Sequence, residues 1–153
     1  MLTSNNTRIR SLLEKTGLLP LPQLEAVLIN ARENGIPVLE AALASDPNLK
    51  EEELLEKLGE AMDLPYQRLK SVEIDAAILG KVPTKAVFQY NVIPITEEND
   101  CLHVATSDPF LPGLVDALRL ATESRIRLVL SPSADISTTA KKFYGVGAET
   151  LDR

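Results

Sequence analysis

The spacing of apolar residues changes period after residue 66, and that switch limits the folds open to this chain more than any other feature. Up to there the pattern is helical throughout. Ile9, Leu12 and Leu13 form a stripe over residues 8–16, closed by Gly17. Pro22 can occupy an early helical position, and Leu24, Val27, Leu28 and Ala31 continue at spacings of three and four until Gly35. Val38, Leu39, Ala42 and Leu43 give a short third helix, ended near Asp46-Pro47. Asn48 followed by Glu51 reads as an N-cap with its box partner. Leu54, Leu55, Leu58, Ala61 and Met62 then form a fourth stripe, which Pro65 should stop.

The four helices look like one pair used twice. At an offset of 30 residues Ile9 falls on Leu39, Leu13 on Leu43 and Leu19 on Leu49. Leu24 falls on Leu54, Leu28 on Leu58 and Ala31 on Ala61. Helical periodicity generates part of such a register, and an internal duplication accounts for the rest.

Residues 67–74 read as a polar connector, and residues 75–79 and 83–90 as short helices. Residues 92–96 and 101–106 are β-rich and flank the turn Glu97-Glu98-Asn99-Asp100, which predicts a hairpin. Asp108-Pro109 should open a helix reaching Ala121, with Asp108 as its cap and Leu111, Leu114, Val115, Leu118 and Ala121 as its stripe. A third strand is expected at 126–130 and a last helix at 133–144. The expected fold class is α+β: a helical subdomain of two helix pairs (residues 1–66), then a small three-stranded sheet covered by helices (residues 75–144). Residues 145–153 begin with Gly145-Val146-Gly147 and read as a linker leading out of the domain.

Composition removes several chemistries. With 44% apolar residues the chain can bury a core, which its 4% aromatic content restricts to Leu, Ile, Val and Ala. A net charge of −6 lacks the basic footprint of a nucleic-acid binder or of a protein held on an anionic membrane. Cys101 is the single cysteine and His103 the single histidine, so neither an internal disulfide nor a Cys/His zinc site can be assembled. No apolar run approaches the roughly 18 residues that cross a bilayer. Glycine-rich phosphate loops of the G-x-x-x-x-G-K and G-x-G-x-x-G kinds are missing. Glu51-Glu52-Glu53 opens a helix, where acidic side chains complement the dipole, and so does not read as an acid–base pair. Cys101 and His103 stand two apart on a strand and could be read as a nucleophile and base, but no glycine-rich turn or helix N-terminus abuts them. A half-buried strand cysteine beside a surface histidine is the simpler reading.

Several phrases occur in one order: Gly17-Leu18-Leu19, Gln23-Leu24-Glu25, Leu64-Pro65-Tyr66, Val104-Ala105-Thr106-Ser107-Asp108-Pro109 and Phe143-Tyr144-Gly145. Each is weak alone. As an ordered set covering nearly the whole chain, they resemble the amino-terminal domain of type II secretion and type IV pilus assembly ATPases, the general secretory pathway protein E family.

The resemblance implies a docking role rather than catalysis. In secretion ATPases this domain binds the cytoplasmic domain of an inner-membrane platform protein and couples the motor to it. The hexameric ATPase part, with its ATP and magnesium, would lie beyond Arg153, and no cofactor is expected in this chain. Localisation would be cytoplasmic, at the inner membrane through the partner, without membrane insertion and without nucleic acid.

Pilus relatives also bind cyclic di-GMP with the helical half, through a repeated pattern close to R-L-G-x-x-L-V-x-x-G followed by spaced leucines and Gln. The resemblance carries Arg8, Leu13, Gly17, Leu24 and Leu28 onto the first copy. Arg10 stands at the usual Gly, Glu14 at the usual Val and Ala31 at the usual Gln. In the second copy Val38 stands for Arg, Pro47 for Gly and Ala61 for Gln. Alanine offers no amide, and each lost charge-assisted contact costs about 1.5–3 kcal/mol, so these departures point toward docking and favour reading the leucines as helix-packing core. For the partner-binding surface, Arg119, Arg125 and Arg127 form a possible basic cluster near the last strand, suited to edge addition or a polar docking face if that strand lies at the sheet edge.

Overall fold

The computed structural model describes the backbone of residues 2–70 and 72–151, and the side chains of residues 7–70 and 72–145. The chain forms two compact units, Met1–Leu64 and Pro65–Arg153. The boundary lies at Pro65, and the whole of the expected connector belongs to the second unit.

The first unit contains α1 (Leu2–Thr16), α2 (Leu21–Asn34), α3 (Val38–Ser45) and α4 (Glu51–Met62). Its core is the set of aliphatic stripes expected from spacing: Ile9, Leu12, Leu13, Leu24, Val27, Leu39, Leu54, Leu55 and Leu58 are buried. α1 packs on α4 and α2 on α3, with a smaller contact between α1 and α2. Each helix thus takes its main neighbour from the other pair, not its own counterpart at the 30-residue offset. Every residue of the six matched pairs is buried or half-buried.

The helix ends follow local chemistry. Pro20 and Pro37 hold φ of −57° and −59° at the N-caps of α2 and α3. Their carbonyls accept from Leu24 N–H at 2.9 Å and Ala41 N–H at 3.0 Å, while a proline there sacrifices no helical donor. α2 ends at Gly35, whose φ of 63° lets Ile36 N–H reach back to Ala31 O at 3.1 Å. Two expectations need correction at α4. Its N-cap is Lys50, with no side-chain cap bond, because the Asp46 carboxylate takes Asn48 N–H at 2.9 Å and turns that segment before the helix starts. The helix stops at Asp63 (φ 57°), where Leu64 N–H bonds Gly59 O, so its end is closed before Pro65 is reached.

The second unit holds α5 (Ala76–Leu79), α6 (Thr84–Tyr90), β1 (Val92–Glu98), β2 (Cys101–Thr106), α7 (Leu114–Thr122), β3 (Arg125–Leu130) and α8 (Ser133–Leu151). The α+β class and the three-stranded sheet are as the sequence predicts. Strand order is β1-β2-β3, with β1 antiparallel to β2 and β2 parallel to β3. Asn99 and Asp100, at φ 52° and 62°, make the tight hairpin turn. Val92, Ile93, Leu102, Val104, Ala105, Leu118, Leu130 and Ile136 are fully enclosed.

α7 begins at Leu114 behind Gly113, not at Asp108. A helix capped by Asp108 would place Pro112 where an N–H must bond the Asp108 carbonyl, and proline has none. The Asp108 carboxylate instead accepts Phe110 N–H at 3.0 Å, and Thr106 Oγ1 accepts Asp108 N–H at 3.1 Å. α8 breaks at Gly145 (φ 70°, ψ 165°), and helical backbone resumes to Leu151, where a linker was expected. Residues 152 and 153 of that expected linker lie outside the described residues, as do the side chains from 146 onward.

Residues 65–70 form a strap on the sheet. Leu130 N–H donates to Pro65 O at 2.8 Å, Gln67 N–H to Leu130 O at 2.9 Å, and Ser131 Oγ to Gln67 O at 2.6 Å. Arg68 Nε and Leu69 N–H both donate to Asp135 Oδ2, at 2.8 and 2.9 Å. Leu69 and Ile74 are buried, so the segment is anchored on both its backbone and its apolar side chains.

Candidate docking and nucleotide-binding surfaces

The five residues of the dinucleotide pattern fall in two environments. Leu13 and Leu24 have no exposed surface and sit in the helical core, and Leu28 is half-buried on α2. Arg8 and Gly17 are exposed, one within α1 and one just after it. A leucine with no exposure cannot touch a ligand unless the helices repack. Arg10 is ion-paired with Glu14 on α1 and with Glu25 on α2, so its charge is already compensated. Residues 1–64 carry six basic and eleven acidic side chains, against ten and eleven in the remainder. The chain's acidity is concentrated in the helical unit, a field that opposes a doubly anionic ligand.

The three arginines lie around α7 and β3. Arg119 is exposed on α7, 3.9 Å from Asp116. Arg125, at the first position of β3, donates from Nη2 to Asn99 O at 2.5 Å, linking the strand to the hairpin tip. Arg119 and Arg125 both line an open concavity of about 580 Å³ with Asp116, Leu120, Glu123 and Ser124. Arg127 is outside that lining; it is exposed on β3, two residues beyond Arg125 on the same face of the sheet. β3 does lie at an edge of the sheet.

Leu120 was not singled out from the sequence, yet it is 83% exposed at the lip of this concavity. The signal was there: Leu120 is an apolar residue off the buried stripe of its own helix. An exposed leucine amid charges of both signs is chemistry suited to protein contact.

Cys101 and His103 share one face of β2 and register with Arg125 and Arg127 on β3. Two residues along a strand separate their Cβ atoms by about 7 Å, too far for a direct proton transfer. No group of three or more His, Cys, Asp or Glu able to hold a metal occurs among the described residues, and no helix there is long and apolar enough to cross a membrane.

Among the described residues, Asp108, Asp135 and Tyr144 are perturbed by burial or by pairing within the fold. Burial pushes the Asp108 carboxyl above its usual value, partly offset by the Phe110 N–H. The Arg68 hydrogen bond holds Asp135 below its usual value, against a smaller desolvation effect, and Leu69 N–H adds to the lowering. Burial pushes the Tyr144 hydroxyl up to about 12, and it donates to Leu79 O at 2.6 Å. Tyr66, Thr106, Asp108 and Tyr144, all within the ordered phrases read from the sequence, are thus fasteners of the second unit: Tyr66 bridges Leu130, and Ser131 N–H donates to Thr106 O.

The fold is an α+β unit preceded in the chain by a four-helix unit. The model of one family, the MshEN domain, matches residues 62–150. The chain belongs to that family, the N-terminal domains of type II secretion and pilus assembly ATPases. No curated protein matches the chain. Among solved structures, that of MshE with cdg superposes with a TM-score of 0.75 at 22% identity, over 88% of this chain and 97% of that one. The N-terminal domain of XpsE superposes with TM-scores of 0.69 and 0.57 in two crystal forms, both at 24% identity. The first form covers 92% of this chain and 96% of its own, the second 89% and 94%. At these identities the structures report the shared fold, and the family assignment rests on residues 62–150, which take in nearly all of the second unit.

Proposed function

We propose that this chain is the docking domain of a type II secretion or type IV pilus assembly ATPase, and that it binds the cytoplasmic domain of an inner-membrane platform protein. ATP, its magnesium and the hexameric motor belong in this reading to a catalytic part of the parent protein, working in the cytoplasm. Family membership supports the reading. The observation that carries it to a surface is the mixed-charge concavity around the exposed Leu120. Immobilised cytoplasmic domain of the cognate platform protein should retain the 153-residue chain at micromolar concentration, and Leu120→Ser should weaken retention without changing the melting temperature. Folded chain that is not retained would refute the docking role.

A second reading, a cyclic di-GMP-binding regulatory domain, draws on the likeness to MshE with cdg and on the exposed Arg8 and Gly17. The core positions of Leu13 and Leu24, the compensated Arg10 and the acidic helical unit weigh against it. Calorimetric titration with cyclic di-GMP should give no saturable heat. Saturable binding abolished by Arg8→Ala would reverse the order of the two readings.

A further inference from the structure

The outer edge of β3 is already used for strand addition, but only at one end. Residues 65–67 run parallel to it as a one-residue bridge: Leu130 N–H donates to Pro65 O, and Leu130 O accepts from Gln67 N–H. These two bonds establish which β3 residues aim their backbone outward. In a ladder, alternate residues face the same neighbour, so Ile126 and Leu128 share the orientation of Leu130, while Arg125, Arg127 and Val129 face β2. Among the described residues, the outward N–H and C=O groups of Ile126 and Leu128 have no main-chain partner. After Gln67 the strap leaves the edge, because Leu69 N–H turns to Asp135.

Side chains along this open stretch select what could occupy it. Arg125 and Arg127 are exposed on one face of the edge, and Ile126 is half-buried on the other. Edge pairing with a second copy of the chain would bring arginine against arginine, a repulsion that guards natural sheet edges. An acidic strand meets the opposite situation. Its carboxylates would lie over the two guanidiniums, and its alternate apolar side chains would lie against Ile126.

We infer that the edge of β3 between Arg125 and Leu128 receives an extended segment of the partner in which acidic and apolar residues alternate, joined to Ile126 and Leu128 by main-chain hydrogen bonds. The inference rests on the docking reading and names the chemistry of the partner segment. It differs from the concavity around Leu120 in asking for backbone pairing, and Arg125 belongs to both surfaces.

Amide hydrogen exchange of the full 153-residue chain, with and without the cytoplasmic domain of the cognate platform protein, tests it. In the complex the amides of Ile126 and Leu128 should exchange about tenfold more slowly or better, while those of Arg127 and Val129, already paired with β2, should not change. Arg125→Glu combined with Arg127→Glu should weaken binding by about tenfold or more, the equivalent of one lost charge-assisted contact, in variant protein whose circular dichroism shows it folded. Binding that leaves Ile126 and Leu128 unprotected would overturn the edge inference and leave the docking reading standing. Protection with affinity unmoved by charge reversal would overturn the acidic chemistry of the segment. Absence of binding by folded chain would overturn both readings together.

Discussion

Two aspartates of the second unit are shifted in opposite directions, Asp135 downward by its hydrogen bond from Arg68 and Asp108 upward by burial. Asp135 accepts from Arg68 and Leu69, and its carboxyl is held below the ordinary 3.8. The stability it contributes is present above that value and is lost as pH falls through its lowered folded-state value. Asp135→Asn should therefore cost about 1–2 kcal/mol near neutrality, a modest figure because Arg68 is half exposed, and nothing in strong acid where both side chains are neutral. Asp108 is the reverse case. Burial raises its carboxyl above 3.8, so its favourable contribution is complete below 3.8 and is lost as pH rises through the raised folded-state value. Asp108→Asn keeps an oxygen acceptor for Phe110 N–H and removes the buried charge. It should melt higher than the parent at neutral pH, with the advantage shrinking toward pH 3.8. Thermal melts of both variants across the acid range should diverge in opposite directions at pH 7 and converge on the parent in acid.

Among the elements, the helical unit was the most legible, because its stripes obey one period and its buried positions repeat at one offset. Leu54→Ala, in a fully enclosed position matched to Leu24, should cost about 2–5 kcal/mol in chemical denaturation. The hairpin, the last strand and the short helices also followed from alternation and turn residues. Errors fell where proline had to be read twice. Pro109 suits a helix start and Pro112 forbids that same helix, so α7 waits for Leu114. Prolines also open helices in ways the spacing of apolar residues does not reveal: Pro37, Pro83 and Pro132 supply carbonyls to Ala41, Val87 and Ile136. Of the surfaces, the arginines around the last strand were legible as a cluster, but the edge position of β3 follows only from the strand order. Leu120 stood off its helix's apolar stripe in the sequence, but the charged residues that surround it came only with the fold. The strap was illegible because Asp135, the group that holds it, lies more than sixty residues away, and no local pattern carries such a pairing.

At the scale of the whole molecule, the two units have separate cores and unequal charge, and the natural cut lies at Pro65. A fragment of residues 65–153 should melt cooperatively. A fragment beginning at residue 75, where the sequence pattern alone would cut, lacks the strap and the buried Leu69 and Ile74, leaves Leu130 unpaired, and should melt lower or not fold. Circular dichroism of the two fragments compares them directly, and equal melting temperatures would deny the strap a stabilising role. The helical unit, at the size where a core encloses only about 60% of the chain's surface, should be marginal by itself. The strap also bears on how the second unit assembles. Its bonds join residues 63 to 67 positions apart in the chain. Loops of that span close after local helices and the hairpin have formed, because their entropy must be met before the contacts return anything. On a ribosome, Pro65–Gln67 emerges long before Leu130 and Asp135, so the first residues of the unit wait for nearly the last. Closure of the strap is then a late step that only a nearly complete chain can take, and until it occurs the whole length of β3 is a bare edge.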